Sequence, residues 1–273
     1  MLISLSISQA TFRKLDRQAT KEVTDTHEAS TDAGRFNKQT IDKAALLPIQ
    51  QIASKARDFF DKHTLPWGHN GINVVSSVNY FDVVQKLGVF QHEFNTAVDA
   101  FCAEYDVHRE RARFKLNSLF NEADYPPVSE VRNKFAMSWS IMPLPTAGDF
   151  RVEMADDAVA EIRSEIEGEI NGRVQAMMGE LRKSVASSLA HLSSRLKSSG
   201  HFHTSAIENV VDLMNRLPGL NIFEDVEVAA ARDEVVQVLS NLDKNAVKKD
   251  TALREIVANS VDAILAQMRG VMR

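Results

Sequence analysis

Two histidines at i, i+2, His201 and His203, come nearest to a metal-binding pair, with His191 one helix length upstream. Imidazoles at that spacing can share a divalent ion on a strand or loop. Both lie in SSGHFHTS, a break between helical stretches, and the expected reading is a solvated turn with Thr204 or Ser205 capping the next helix. His63 and His69 flank another turn, Leu65-Pro66-Trp67-Gly68. His92-Glu93 opens like a zinc-protease helix, but Thr96 stands where the second histidine is needed. The single cysteine, Cys102, sits among Phe101, Ala103 and Tyr105 without an adjacent charge, and reads as a small buried hydrophobe. The glycine loops that cradle phosphates, the kinase signature and the GxSxG nucleophile elbow are absent. The expectation is a protein that is not an enzyme and uses no cofactor or metal.

Cations offer a second chemistry. The run His108–Lys115 (HRERARFK) is the most basic stretch. On a helix Arg109 and Arg113 share one face, and Arg111 and Lys115 share another about 200° away. Phosphate binding needs several cations facing one way, so a solvated, ion-paired helix is the plainer reading and nucleic-acid contact the sharper one. Arg182, Lys183, Arg195 and Lys197, set among serines from Ser184 to Ser199, form a second candidate. Hydroxyls and cations contact phosphates, but serines are also small enough to allow close helix packing.

These residues must be positioned by helices. Only 11 glycines and 7 prolines in 273 residues argue against a turn-rich all-β design. Alternation in Leu2–Ser8, with Ile3, Leu5 and Ile7 on one face, predicts a half-buried strand. It needs partners, and Phe135–Met142 and Ile72–Val75 supply them, giving a small antiparallel sheet. Residues 16–37 are polar and read as an extended or mobile excursion outside the core. Helices are expected from Thr40 to His63, from Ser76 or Ser77 to Tyr105, and over Val107–Asn121. The break IMPLPTAG, residues 141–148, marks a boundary. The expected organisation is an α+β head with a helical hairpin over residues 1–145 and a helical domain over 146–273. The fold class is mainly α, with a small antiparallel sheet in the first part and a long helix plus bundle in the second.

The second part opens on a proline-free run from Ala155 to about Ser199. A large apolar residue recurs at Ile162, Ile166, Ile170, Val174, Met177, Leu181, Val185, Leu189, Leu192 and Leu196. The mean step is near 3.8 residues, above a heptad's 3.5, so the packing should be straight or slightly right-handed and not that of a leucine zipper. Seven acids stand against Arg163 in residues 153–170, whereas five bases stand against Glu180 in residues 171–200. This polarity complements the helix dipole, and would also let two copies pack antiparallel with opposite charges facing. Helices at about Ser205–Arg216, Asp225–Leu242 and Ala252–Met272 follow. The last carries Ile256, Val257, Val261, Ile264 and Leu265 on one face, which must be buried on the long helix or on another chain. The candidate oligomer or partner face is therefore Ile162, Ile166, Ile170, Val174, Leu181, Val185 and Leu189 with Ile256, Val257, Ile264 and Leu265.

No apolar run approaches the roughly 20 residues that span a bilayer, and MLISLSISQATFRK does not read as a signal peptide. With a formal charge of −5 spread over both halves, no domain-wide basic field points to nucleic acid.

The strand Leu2–Ile7 with Arg13-Lys14-Leu15, the stretch LLPIQQIASKARDFFDKHTLPW and the segment VRNKFAMSWSIMPL together resemble a phage and mobile-element family of unknown function, the three-one-five-zero family. The resemblance covers roughly residues 1–145. It implies a phage-type origin and a host-cytoplasm location. Genes of that family often neighbour a MoxR-like AAA+ ATPase, which implies an adaptor or substrate of a remodelling machine. It carries no catalytic residues. The leading expectation is a non-enzymatic phage protein acting by oligomerisation or partner binding, as an adaptor beside that ATPase. A DNA- or RNA-binding accessory factor of phage replication or recombination is the alternative, and an anti-defence protein that sequesters a host factor is a third.

Overall fold

The computed structural model describes residues 1–68, 71–146, 156–198, 200, 202–240 and 242–271. The chain is mainly helical, with a four-stranded sheet built from β1 (Leu2–Ser8), β4 (Leu65–Pro66), β5 (Ile72–Val74) and β6 (Ala136–Met142), in the order β4-β5-β1-β6. The alternating segments thus meet as expected: β1 runs antiparallel to β5 with Leu2 opposite Val74 and Ser4 opposite Ile72. β5 also pairs antiparallel with the short β4. Gly71, at φ +67, takes the left-handed conformation that a residue with a Cβ rarely adopts just before β5.

Two compact units divide the chain. One comprises Leu5–Phe60 and Asp82–Ser140; the other comprises Met1–Ser4, Asp61–Phe81 and Ile141–Arg273. The division differs from a single boundary at 145. Leu2, Leu65, Trp67 and Val74 are apolar and buried in the core of the helical unit, so their segments belong with it.

In the first unit, α2 (Lys43–His63) and α3 (Tyr80–Ala103) supply most of the core. Leu46, Ile49, Ala53 and Ala56 recur every three or four residues and are buried, as are Phe90, Phe94, Val98 and Phe101. That spacing keeps one stripe of each helix facing inward. Then come α4 (Tyr105–Leu116) and the short α5 (Val128–Arg132). Asp42, and not Thr40, stands at the start of α2, its backbone carbonyl accepting the Ala45 amide. Thr40 is buried: its hydroxyl donates to the Phe12 carbonyl at 3.0 Å, and its own carbonyl accepts the Tyr125 hydroxyl at 2.9 Å. Burial pushes the Tyr125 phenol up to about 12.

The polar excursion is ordered. Strands β2 (Arg13–Leu15) and β3 (Asn37–Gln39) pair antiparallel and bracket α1 (Arg17–Thr26). Asp16 caps α1 by accepting the Ala19 amide at 3.0 Å. Three charged residues distant in sequence make this possible. Lys38, 6 % exposed, lies 2.9 Å from Asp16 and 2.9 Å from Asp124, and donates to the Leu119 carbonyl at 2.7 Å. Lys14 reaches Asp124 from the other side at 2.7 Å.

The helical unit is assembled on α6 (Asp156–Lys197), with α7 (Ser205–Leu220), α8 (Val226–Leu239), α9 (Lys244–Lys249) and α10 (Thr251–Val271). Helix α7 runs past its expected end at Arg216, through Pro218. Leu217 and Leu220 are buried, and that burial outweighs the one hydrogen bond the proline cannot donate. Asp225 caps α8, accepting from the amides of Glu227 and Val228.

Candidate functional site

Helix α4 carries the first cation cluster, and its two faces differ. Arg113 meets Glu122 at 2.7 Å and Glu110 at 3.3 Å, and its guanidinium lies 4.4 Å from the Phe120 ring centroid. Arg109 meets Asp106 at 3.5 Å and Glu122 at 3.7 Å. The opposite face, His108, Arg111, Ala112 and Lys115, turns toward the first turn of α2 and lines a groove of about 280 Å³. Lys115 lies 3.4 Å from Asp42, while Arg111 has no ion pair among the described residues. Burial holds the His108 imidazole below its usual range, and the ring stacks on Phe101 at 5.4 Å.

The second cluster is also largely neutralised. Arg182 meets Asp225 at 2.6 Å and Glu227 at 3.7 Å, Lys183 meets Glu180 at 2.7 Å, and Lys197 is paired with Asp262. Arg195 is exposed and has no such partner among the described residues. Six of the eight cations singled out for nucleic acid thus have carboxylates beside them. A phosphate backbone would have to displace those carboxylates before counterion release could contribute.

The apolar stripe of α6 splits in two. Leu181, Val185 and Leu189 are buried in the unit's own core, as are Val257, Ile264 and Leu265 of α10. That part of the expected oligomer face is spent inside one chain, because α7 and α10 pack along the C-terminal half of α6. Ile170 and Val174 are partly buried against the edge of the same core, next to Arg173, which donates to the Trp67 carbonyl at 3.3 Å. Ile256 is 64 % exposed and points away from the core. Ile162 and Ile166 are half-buried but lie outside the core. Around them Glu161, Glu165 and Glu167 are exposed and carry no ion pair among the described residues. Glu169 is engaged by Arg173 at 2.5 Å.

The remaining candidates do not converge. His69, Ser199 and His201 lie outside the described residues, as do Ala147 and Gly148 of the IMPLPTAG segment and Glu153 of the acidic run. His191 and His203 are exposed. Among the described residues no group of three His, Cys, Asp or Glu side chains could hold one metal ion. Burial pushes the Cys102 thiol up, which keeps it protonated and unreactive. The triad of Asp16, Lys38 and Asp124 escaped sequence reasoning, since no local spacing links residues so far apart.

A family model described as a protein of unknown function (DUF3150) matches residues 37–262. The match opens at the first residue of β3 and runs on through the long helix into α10, so the likeness is not confined to the first 145 residues. No curated protein and no solved structure matches the chain.

Proposed function

The chain belongs to the DUF3150 family of proteins of unknown function, and from that premise we propose that it is a non-catalytic, partner-binding protein whose contact element is the N-terminal portion of α6. One observation carries this reading. The same stripe that forms the core from Met177 onward continues as Ile162 and Ile166 beyond the core, flanked by exposed acids. Residues four apart stack on one face of a helix. Glu161, Glu165 and Glu169 border that line on one side, with Arg163 and Glu167 on the other.

The charge selects the occupant. Two copies joined through this segment would set acid against acid, and antiparallel pairing along all of α6 would need a stripe that α7 and α10 already cover. A basic surface with an apolar centre is the better match. The family resemblance supplies a concrete partner: a MoxR-like AAA+ ATPase, for which this protein would serve as adaptor, in a phage or mobile-element setting within the host cytoplasm. No helix among the described residues is long and apolar enough to cross a membrane.

The test is binding of the full chain to a purified MoxR-like AAA+ ATPase. The double variant Ile162→Glu, Ile166→Glu is expected to bind at least about tenfold more weakly, roughly 1.4 kcal/mol. Wild-type affinity should fall as salt rises, because exposed charges are screened beyond about 8 Å at physiological ionic strength. Equal affinity of wild type and variant, or no complex at low salt, would sink the reading.

A further inference from the structure

The groove between α4 and the first turn of α2 has no part in the α6 surface and stands apart from that reading. We propose that it is a binding site for a single phosphate group carried by a small molecule, either free phosphate or a phosphate monoester. Four α4 residues at helical spacing, His108, Arg111, Ala112 and Lys115, line one wall. Ala44 and Ala45 of α2, with Asp42 before them, line the other.

The donors in the groove are unequally occupied. Thr40 has given its hydroxyl to Phe12, and Gln39 has given its amide to the carbonyls of Thr11 and Ile41. Arg111 has no ion pair or side-chain hydrogen bond among the described residues, and a guanidinium fork matches two phosphate oxygens at once. Lys115 is only loosely held: 3.4 Å to Asp42 is long beside the roughly 2.7–2.9 Å of a strong charge-assisted bond. His108 is 8 % exposed, its side chain makes no hydrogen bond among the described residues, and the Glu104 carboxylate is no nearer than 3.8 Å. The ring lines the groove, where a ligand oxygen can accept from its N–H. Asp42 opposes an anion, but its carboxylate is engaged by the amides of Lys43 and Ala44 and by Lys115. Arg111 and Lys115 together leave the groove cationic.

Size and surroundings set the ligand class. At about 280 Å³ the groove lies just under the roughly 300–1,000 Å³ range of small-molecule pockets. A nucleic-acid backbone needs a line of cations, and the neighbouring Arg109 and Arg113 are held by Glu110 and Glu122.

Calorimetric titration of the full chain with inorganic phosphate, at constant ionic strength in chloride, tests the site. Saturable binding is expected, weakened at least about tenfold by Arg111→Gln and unchanged by Arg113→Gln on the neutralised face. A nucleoside monophosphate arm distinguishes the two sources: tighter binding than phosphate assigns a monoester, and equal or weaker binding assigns the free ion. Absence of saturable binding overturns the proposal, as does an Arg111→Gln variant that binds like wild type. A single-stranded oligonucleotide that binds far more tightly, with a steep salt dependence, overturns the small-molecule assignment.

Discussion

Replacing Lys38 with Met is expected to destabilise the protein by about 3–5 kcal/mol, the usual cost of removing one partner from a buried ion pair. The loss is large against the roughly 5–15 kcal/mol that holds a domain folded. Lys38 neutralises two carboxylates, and the Asp124 side chain is only 4 % exposed, so water cannot take the ammonium's place. Methionine keeps the volume and removes the charge. A second change, Asp124→Leu on the Lys38→Met background, is expected to recover part of the loss, because an apolar pair of similar volume leaves one fewer buried charge unpaired. Urea unfolding midpoints measure both. A single variant within about 0.5 kcal/mol of wild type would show that the triad does not hold the ribbon and α1 in place.

The same residues fix the direction of the acid response. Burial raises the Asp124 carboxyl, but hydrogen bonds from Lys14 and Lys38 outweigh it and leave the group below its ordinary range. The Ala19 amide, then Lys38, lower Asp16 likewise. A depressed carboxylate contributes stability that is present above its unfolded pKa, near 3.9, and is lost as pH falls through the folded value. Wild-type stability should therefore decline below about pH 4. In Lys38→Met the unpaired carboxylates gain by taking protons, so the gap between variant and wild type should narrow on acidification. A gap that widens instead would contradict the assignment.

Leu189→Ala and Ile166→Ala should behave oppositely, although both remove a large aliphatic side chain from one stripe of one helix. Leu189 is fully buried among α6, α7 and α10, and its truncation is expected to cost about 2–5 kcal/mol through lost transfer energy and a residual cavity. Ile166 lies outside that core, and alanine is the better helix former, so its truncation should stay within about 0.5 kcal/mol. Thermal or denaturant unfolding of the two variants decides the matter. Equal losses would mean that the N-terminal portion of α6 is covered within the chain, which removes the proposed contact element.

The difference between those two residues marks where sequence periodicity stops informing. Ile162, Ile166, Leu181 and Leu189 recur at the same spacing, and spacing states which face is apolar but not what covers it. Long elements were legible because one face of each is buried: the alternation of β1 and β6 and the stripe of α3 lie where the pattern puts them, whereas α2 buries Leu46, Ile49, Ala53 and Ala56 with Leu47 left exposed, and α10 leaves Ile256 outside its core. The excursion between residues 16 and 37 was not, since its order comes from Lys38 reaching Asp16 and Asp124 across 22 and 86 positions. The arginine faces of α4 were half legible. Their opposed directions follow from helical geometry, whereas the neutralising Glu122 arrives from beyond the helix end.

The interleaving of the two units has a consequence in time. The helical unit takes Met1–Ser4 from early in the chain, Asp61–Phe81 from the middle and everything from Ile141 onward. During synthesis the helices whose core Leu2 joins do not yet exist, so that core must wait for most of the chain to leave the ribosome. The unit comprising Leu5–Phe60 and Asp82–Ser140 is complete once Ser140 has been made and can close first. Cutting the gene at residue 145 would therefore not release two independent proteins: the downstream piece would lack Leu2, Leu65, Trp67 and Val74 from its core, and would emerge with that apolar surface open to aggregation.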